Sequence, residues 1–77
     1  MKLKIFGKLT DIFKVEEYDL PLHNTASVAE LRSQLFEKFP ELGKTTFLVV
    51  VNGVKAENQH LISGEAEIAL LPPYSGG

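Results

Sequence analysis

Ser27-Val28-Ala29-Glu30-Leu31-Arg32-Ser33-Gln34-Leu35-Phe36-Glu37-Lys38-Phe39-Pro40 is the stretch from which the fold is read. Ser27 and Glu30 stand at capping-box spacing: the serine hydroxyl can accept the Glu30 N–H, and the glutamate can reach back to the serine N–H. Behind that start, Val28, Leu31, Leu35 and Phe39 recur at steps of three, four and four, which is one face of a helix. Glu30, Arg32, Gln34, Glu37 and Lys38 are left for solvent. Pro40 disfavours helical geometry in the residue before it, so the helix should stop near Phe39. A single helix with one apolar stripe needs a sheet to cover it, and both flanks supply strands.

Upstream, Lys2-Leu3-Lys4-Ile5-Phe6-Gly7-Lys8 alternates charged and apolar residues at period two, the pattern of a half-buried strand. Leu3 and Ile5 share its inner face, and Phe6 has the parity of Lys2 and Lys4 and should face solvent. A turn near Thr10-Asp11 leads to a second strand over Lys14–Leu20, charged enough to be an edge, with Pro21 closing it. Downstream, Thr45–Val51 is a β-branched, nearly continuous apolar run. It predicts a strand that is covered on both faces or carries an apolar outer face. Asn52-Gly53 is a hairpin turn with Val54-Lys55 starting the return. Residues 56–63 look irregular, with Leu61 or Ile62 as an anchor. After Ser63-Gly64, Glu67–Leu71 reads as the last strand, Ile68 and Leu70 inward and Glu67, Ala69 and Leu71 outward. The order β-β-α-β-(short β)-β predicts an α+β fold of β-grasp type, a mixed sheet with one main helix packed across it. The domain would span residues 1–71, with 72–77 as an extended, flexible C-terminal tail.

Composition limits what such a domain can do. The chain has 77 residues, 44% hydrophobic and 23% charged, which are ordinary globular values. It has no cysteine, so thiol nucleophiles, zinc knuckles and disulfides are all absent. Ten acids against eight bases give a net charge of −2, no footprint for nucleic acid or an anionic membrane. No apolar h-region follows the first lysines and no run approaches the roughly 20 residues of a membrane span, so the expected location is cytoplasmic. His23 and His60 are far apart in sequence and read as loop histidines. Glu16 and Glu17, adjacent on a strand, point to opposite faces and cannot form a carboxylate dyad. The glycines at 7, 43, 53 and 64 are too dispersed for a phosphate loop. No metal site and no bound cofactor are expected, and independent catalysis has no residues to carry it.

The tail is the exception. In Pro72-Pro73-Tyr74-Ser75-Gly76-Gly77, two prolines end the strand and hold the chain extended. Six extended residues reach about 20 Å. Gly76-Gly77 is bare backbone ending in an α-carboxylate, which could thread a narrow channel and be activated there by a partner's nucleotide.

The run Ile68-Ala69-Leu70-Leu71-Pro72-Pro73-Tyr74-Ser75-Gly76-Gly77 resembles the end of the small, ubiquitin-like subunit of molybdopterin synthase, in the MoaD/ThiS family of sulfur carriers. Phe6-Gly7, Ser27 to Arg32, Val51-Asn52, and Leu61 ahead of Gly64 match the family as well. Gly64-Glu65-Ala66-Glu67-Ile68 is one residue longer than the family's frequent Gly-Asp-Glu-Val, which should alter a turn and leave the tail intact. Leu70-Leu71 replaces frequent aromatics. The resemblance implies that the Gly77 carboxylate is adenylated by a ubiquitin-activating-type (MoeB-type) adenylyltransferase using ATP and Mg2+. A persulfide donor then converts it to a thiocarboxylate. Pro72, Pro73, Tyr74, Ser75 and Gly76 would thread the large (MoaE-type) synthase subunit, delivering sulfur to a cyclic pyranopterin in molybdenum cofactor biosynthesis. The chain would be no enzyme alone.

In a β-grasp the first and last strands are neighbours, so outward Phe6 and Leu71 are expected to meet and dock the partner. Two alternatives stay open: a related carrier for thiamine or tRNA thiolation or a ubiquitin-like protein modifier, and an interaction module whose tail is inert.

Overall fold

Alternation over Lys2–Ile5 (β1) buries Leu3 and Ile5 and leaves Lys2 and Lys4 exposed, as the sequence predicts. The computed structural model describes residues 1–21, 26–63 and 65–72. After Gly7, which turns at φ +61°, the chain departs from the expected hairpin. Leu9–Phe13 forms a short helix, α1, that buries Leu9 and Phe13 and ends on left-handed Lys14 at φ 67°. Thr10 ties its start by donating both N–H (3.1 Å) and hydroxyl (2.8 Å) to the Gly7 carbonyl. The strand expected over Lys14–Leu20 is therefore shorter: β2 spans Glu17–Asp19. The spacing of Leu9, Ile12 and Phe13 is helical, and burying that one turn against the sheet outweighs extending the strand through Lys14 and Val15.

The main helix, α2 (Val28–Lys38), has the full reciprocal capping box: Glu30 N–H donates to Ser27 Oγ at 3.1 Å, and Ser27 N–H donates to Glu30 Oε1 at 3.0 Å. Val28, Leu31 and Leu35 are buried, and Phe39 packs against the core beyond the helix end. There it meets Phe13 and Tyr18, with ring centroids 4.4 and 5.2 Å away, which seals the core beneath the β2 edge. Pro40 opens a 3₁₀ turn, Pro40–Lys44, that the sequence reading did not foresee, and Leu42 anchors it in the core. Between Ala26–Ser27 (β3) and Leu61–Ile62, a small antiparallel ribbon holds the start of α2. Ile62 is the buried anchor and Leu61 is exposed.

The strand expected over Thr45–Val51 narrows to Leu48–Val51 (β4), with Phe47, Val49 and Val51 buried and Leu48 and Val50 half-exposed. Asn52 and Gly53 both lie at positive φ, 51° and 83°, as a type I′ turn requires. They pair Val51 with Val54 at the start of β5 (Val54–Lys55). Asn52 also ties the hairpin to the sheet, since its Oδ1 accepts the Glu67 N–H at 2.9 Å. With β6 assigned to Leu61–Ile62, β7 is Ile68–Leu71, its Ile68 and Leu70 buried. Among the described residues, five strands form a mixed sheet in the order β2-β1-β7-β4-β5, with β1 and β7 parallel and the other pairs antiparallel. This is the expected ubiquitin-like β-grasp, with α2 across its inner face.

Arg32 was expected in solvent and is instead half-buried. Its guanidinium lies 4.6 Å from the Phe47 ring centroid and donates to the Phe47 carbonyl at 3.1 Å. Beyond the short β5, that carbonyl lies on an uncovered stretch of the β4 edge, so the arginine stands in for a missing strand partner. Its Nε is buried without a hydrogen-bond partner among the described residues. Burial lowers the guanidinium pKa from its ordinary value by desolvation, yet an arginine stays charged at physiological pH.

Candidate functional site

The outer face of the sheet is built by parity. The parallel register pairs Lys4 with Ala69 and Ile5 with Leu70, and Phe6 N–H donates to the Leu70 carbonyl at 3.1 Å. The next residues, Phe6 and Leu71, therefore lie side by side, and Leu71 is paired on its other side with Leu48 of β4. The result is an outward apolar row, Phe6–Leu71–Leu48, followed by a second row in which Ala69 and Val50 are paired. Phe6 is 44% exposed, while Leu71 and Leu48 are half-exposed because each is flanked by neighbours. The sequence brought Phe6 and Leu71 together. It left open which residues of Phe47–Val51 extend them, because an uninterrupted run of apolar residues does not reveal which parity faces out; the pairing with β7 places Leu48 and Val50 there.

The other end of the same face is charged. Cross-strand pairs Lys2–Asp19 and Lys4–Glu17 cancel one another locally. An open groove of about 470 Å³ there is lined by Lys2, Lys4, Asp19, Glu65 and Glu67 among others. Its charges are of mixed sign, and among the described residues no three His, Cys, Asp or Glu side chains are grouped to hold a metal. His60 is exposed in a loop, and His23 lies outside the described residues. Among the described residues, no helix is long and apolar enough to cross a membrane.

Of the predicted tail, Pro72 follows β7 directly and rests against Gly7. Pro73, Tyr74, Ser75, Gly76 and Gly77 lie outside the described residues. The apolar row is thus at the end of the sheet from which the tail departs.

A β-grasp sheet with its helix on one face and an apolar row on the other defines a ubiquitin-like domain. A family model narrows this: the ThiS family matches residues 3–77, and the chain belongs to that family of ubiquitin-fold sulfur carriers. Solved structures agree on the fold. A Pyrococcus furiosus protein described as molybdopterin converting factor, subunit 1, superposes with a TM-score of 0.85 at 17% identity, covering 95% of each chain. SAMP1 of Haloferax volcanii is similar at TM-score 0.79 and 23% identity, over 99% of this chain and 97% of that one. The small archaeal modifier protein 1 of Methanosarcina acetivorans gives 0.73 at 25% identity, over 99% and 94%.

Proposed function

We propose that this chain is the sulfur-carrying small subunit of a molybdopterin-synthase-type heteromeric sulfurtransferase. The observation that carries the reading is the family match running through Gly77. In this reading the Gly77 carboxylate attacks the α-phosphorus of ATP on an adenylating partner, with Mg2+ held by that partner, and pyrophosphate leaves. The terminal sulfur of a persulfide then attacks the acyl carbon and expels AMP. Thiol reduction of the acyl disulfide frees a thiocarboxylate, which donates its sulfur to a cyclic pyranopterin inside the large subunit. This is covalent chemistry in which the carrier supplies the nucleophile and the partners supply positioning. Pro72 and Pro73 keep the tail extended for threading, and Phe6 and Leu71, joined by Leu48, dock the partner. The Pro-Pro…Gly-Gly ending and the likeness to the Pyrococcus protein support molybdopterin over thiamine chemistry.

A second reading, attachment of the tail to protein lysines, draws support from the likeness to the two archaeal modifier proteins. Incubation with an adenylating enzyme, ATP, Mg2+ and a persulfide donor, followed by intact mass and fragmentation, tests the sulfur-carrying step: one oxygen should be replaced by sulfur at Gly77. An unchanged mass beside a competent partner refutes the sulfur-carrier reading. Adding the large subunit and the pyranopterin then separates the two readings, since sulfur loss with product formation marks the synthase and lysine-linked adducts mark the modifier. A chain lacking Gly76-Gly77 should fold and dock normally yet transfer no sulfur.

A further inference from the structure

Pro72 meets Gly7 so closely that the glycine has no room for any side chain. A β-carbon built on Gly7 would lie 2.6 Å from Pro72 Cγ and 3.3 Å from its Cδ. Carbon atoms in contact need about 3.5–4.0 Å, so one of the two residues would have to move by roughly 1 Å. Gly7 is the less able to do so. Its carbonyl accepts two hydrogen bonds from Thr10, at 2.8 and 3.1 Å, and the preceding Phe6 N–H is bound to Leu70 at 3.1 Å. The Pro72 ring cannot swing aside as a flexible side chain would, because it is closed on its own backbone nitrogen. Relief therefore means displacing the main chain where the tail begins.

We infer that Gly7 is a positioning residue for the tail: its missing β-carbon forms a seat for the Pro72 ring, and that seat sets the place and direction in which the chain leaves the sheet at Pro72. The inference deepens the carrier reading and rests on it for its kinetic consequence. A partner docked on Phe6 and Leu71 holds its active site at a fixed distance from this exit, so a shift of the root is carried to the carboxylate. Misplacement of a reacting group by about 1 Å can cost about 100-fold in rate.

The test uses the full chain and three substitutions. Gly7→Ala adds the clashing carbon and also strains φ +61°. Gly7→Asn adds the same carbon in a residue that tolerates left-handed backbone, which keeps the test open should the alanine variant fold poorly. Pro72→Ala removes Cγ and Cδ, leaving only Cβ, which is 3.9 Å from the built carbon. The first readout needs no partner: the wild type should show NOEs between the Gly7 α-protons and the Pro72 γ-protons. In Gly7→Asn, the Leu71 amide shift and the Pro72 ring-proton shifts should move while α2 and β4 stay unchanged. The second is C-terminal adenylation, followed by ATP–pyrophosphate exchange with the cognate adenylating enzyme. Gly7→Asn should lower kcat by about 100-fold with KM within about twofold, and Gly7→Asn/Pro72→Ala should recover most of the loss. Absence of the NOEs, a wild-type kcat for Gly7→Asn, or additive rather than compensating effects in the double variant would overturn the seat. If the wild type shows the NOEs but no adenylating enzyme accepts it, the carrier reading falls while the positional assignment stands.

Discussion

Truncating Phe6 measures directly whether the apolar row is a dock. The side chain is 44% exposed, and a phenylalanine carries about 200 Å² of buriable surface, so roughly 90 Å² remains for a partner to cover. At about 25 cal/mol per Å², full coverage contributes about 2 kcal/mol, a factor of about 30 in Kd. Phe6→Ala should therefore weaken binding to the large synthase subunit by about 30-fold. Phe6→Asp should exceed that, because the new carboxylate must be desolvated without a partner. The fold should hardly notice either change, since the Phe6 side chain lies outside the buried cluster and its backbone hydrogen bond to Leu70 is kept. Isothermal titration calorimetry gives Kd, a thermal melt and an amide spectrum report on the fold, and Lys2→Ala at the charged end of β1 is the matched control. If Phe6→Asp binds within about twofold of wild type with its melt and spectrum intact, the row is not the docking surface.

Other expectations concern the devices that hold the sheet and helix. Arg32→Met keeps the aliphatic stem but loses the charge-assisted bond to the Phe47 carbonyl and the stacking on that ring; it should cost about 2 kcal/mol in urea unfolding. Arg32→Lys should recover little of this, because one ammonium cannot stack flat and donate sideways at once. Ser27→Ala breaks the capping box and should lower stability by about 1 kcal/mol, with the loss of amide protection confined to the first turn of α2. Gly53→Ala at φ 83° should cost about 1–2 kcal/mol, whereas Gly43→Ala, with open space around the built carbon, should have no steric penalty.

How far the sequence could be read depended on how local the determining physics was. α2 was legible because its cap, its stripe and its stop are each decided within four residues. The Asn52-Gly53 turn was legible because so few dipeptides accept two consecutive positive φ values. α1 was read as a turn near Thr10-Asp11, since one helical turn has too few residues for periodicity to stand out, and its formation depends on Leu9 and Phe13 meeting a sheet assembled from distant segments. The Pro40–Lys44 turn escaped for the same reason, being fixed by the burial of Leu42. Arg32 sat at a position that helical spacing gives to solvent, and only the uncovered Phe47 carbonyl draws it inward. Within the candidate site, Phe6 and Leu71 came from alternation along clearly patterned strands. Leu48 and Val50 required the β4–β7 register, and the Gly7 seat required coordinates, because no pattern announces that a glycine at one strand end faces a proline at another.

The arrangement of the outer face follows from one topological fact. β1 and β7 are parallel, so both run toward the same edge of the sheet. Residues at their C-terminal ends, Phe6 and Leu71, must therefore be neighbours, and the chain continuing past Leu71 must leave beside them. Had the two strands been antiparallel, Phe6 would lie at the opposite end of β7 from the tail, among the residues that now carry charge. The lysines of β1 fall at its start, and their partners Glu17 and Asp19 balance them there. The row at the exit, Phe6–Leu71–Leu48, is thereby apolar, while charge gathers in the rows behind it, with Lys4 beside Ala69 and Lys55 beside Val50. A carrier of this kind needs its grip and its reactive end close together, because every residue between them adds conformational freedom that must be lost when the carboxylate is positioned. The parallel pair brings Phe6, Leu71 and the exit at Pro72 together with no intervening loop, and the Gly7–Pro72 contact removes freedom from the first residue beyond it. On this reasoning, a flexible Gly-Ser pair inserted between Leu71 and Pro72 should leave docking affinity unchanged and lower kcat for adenylation, because it separates the exit from both the row and the seat. If kcat were unaffected, proximity of grip and exit would have no part in how the tail is presented.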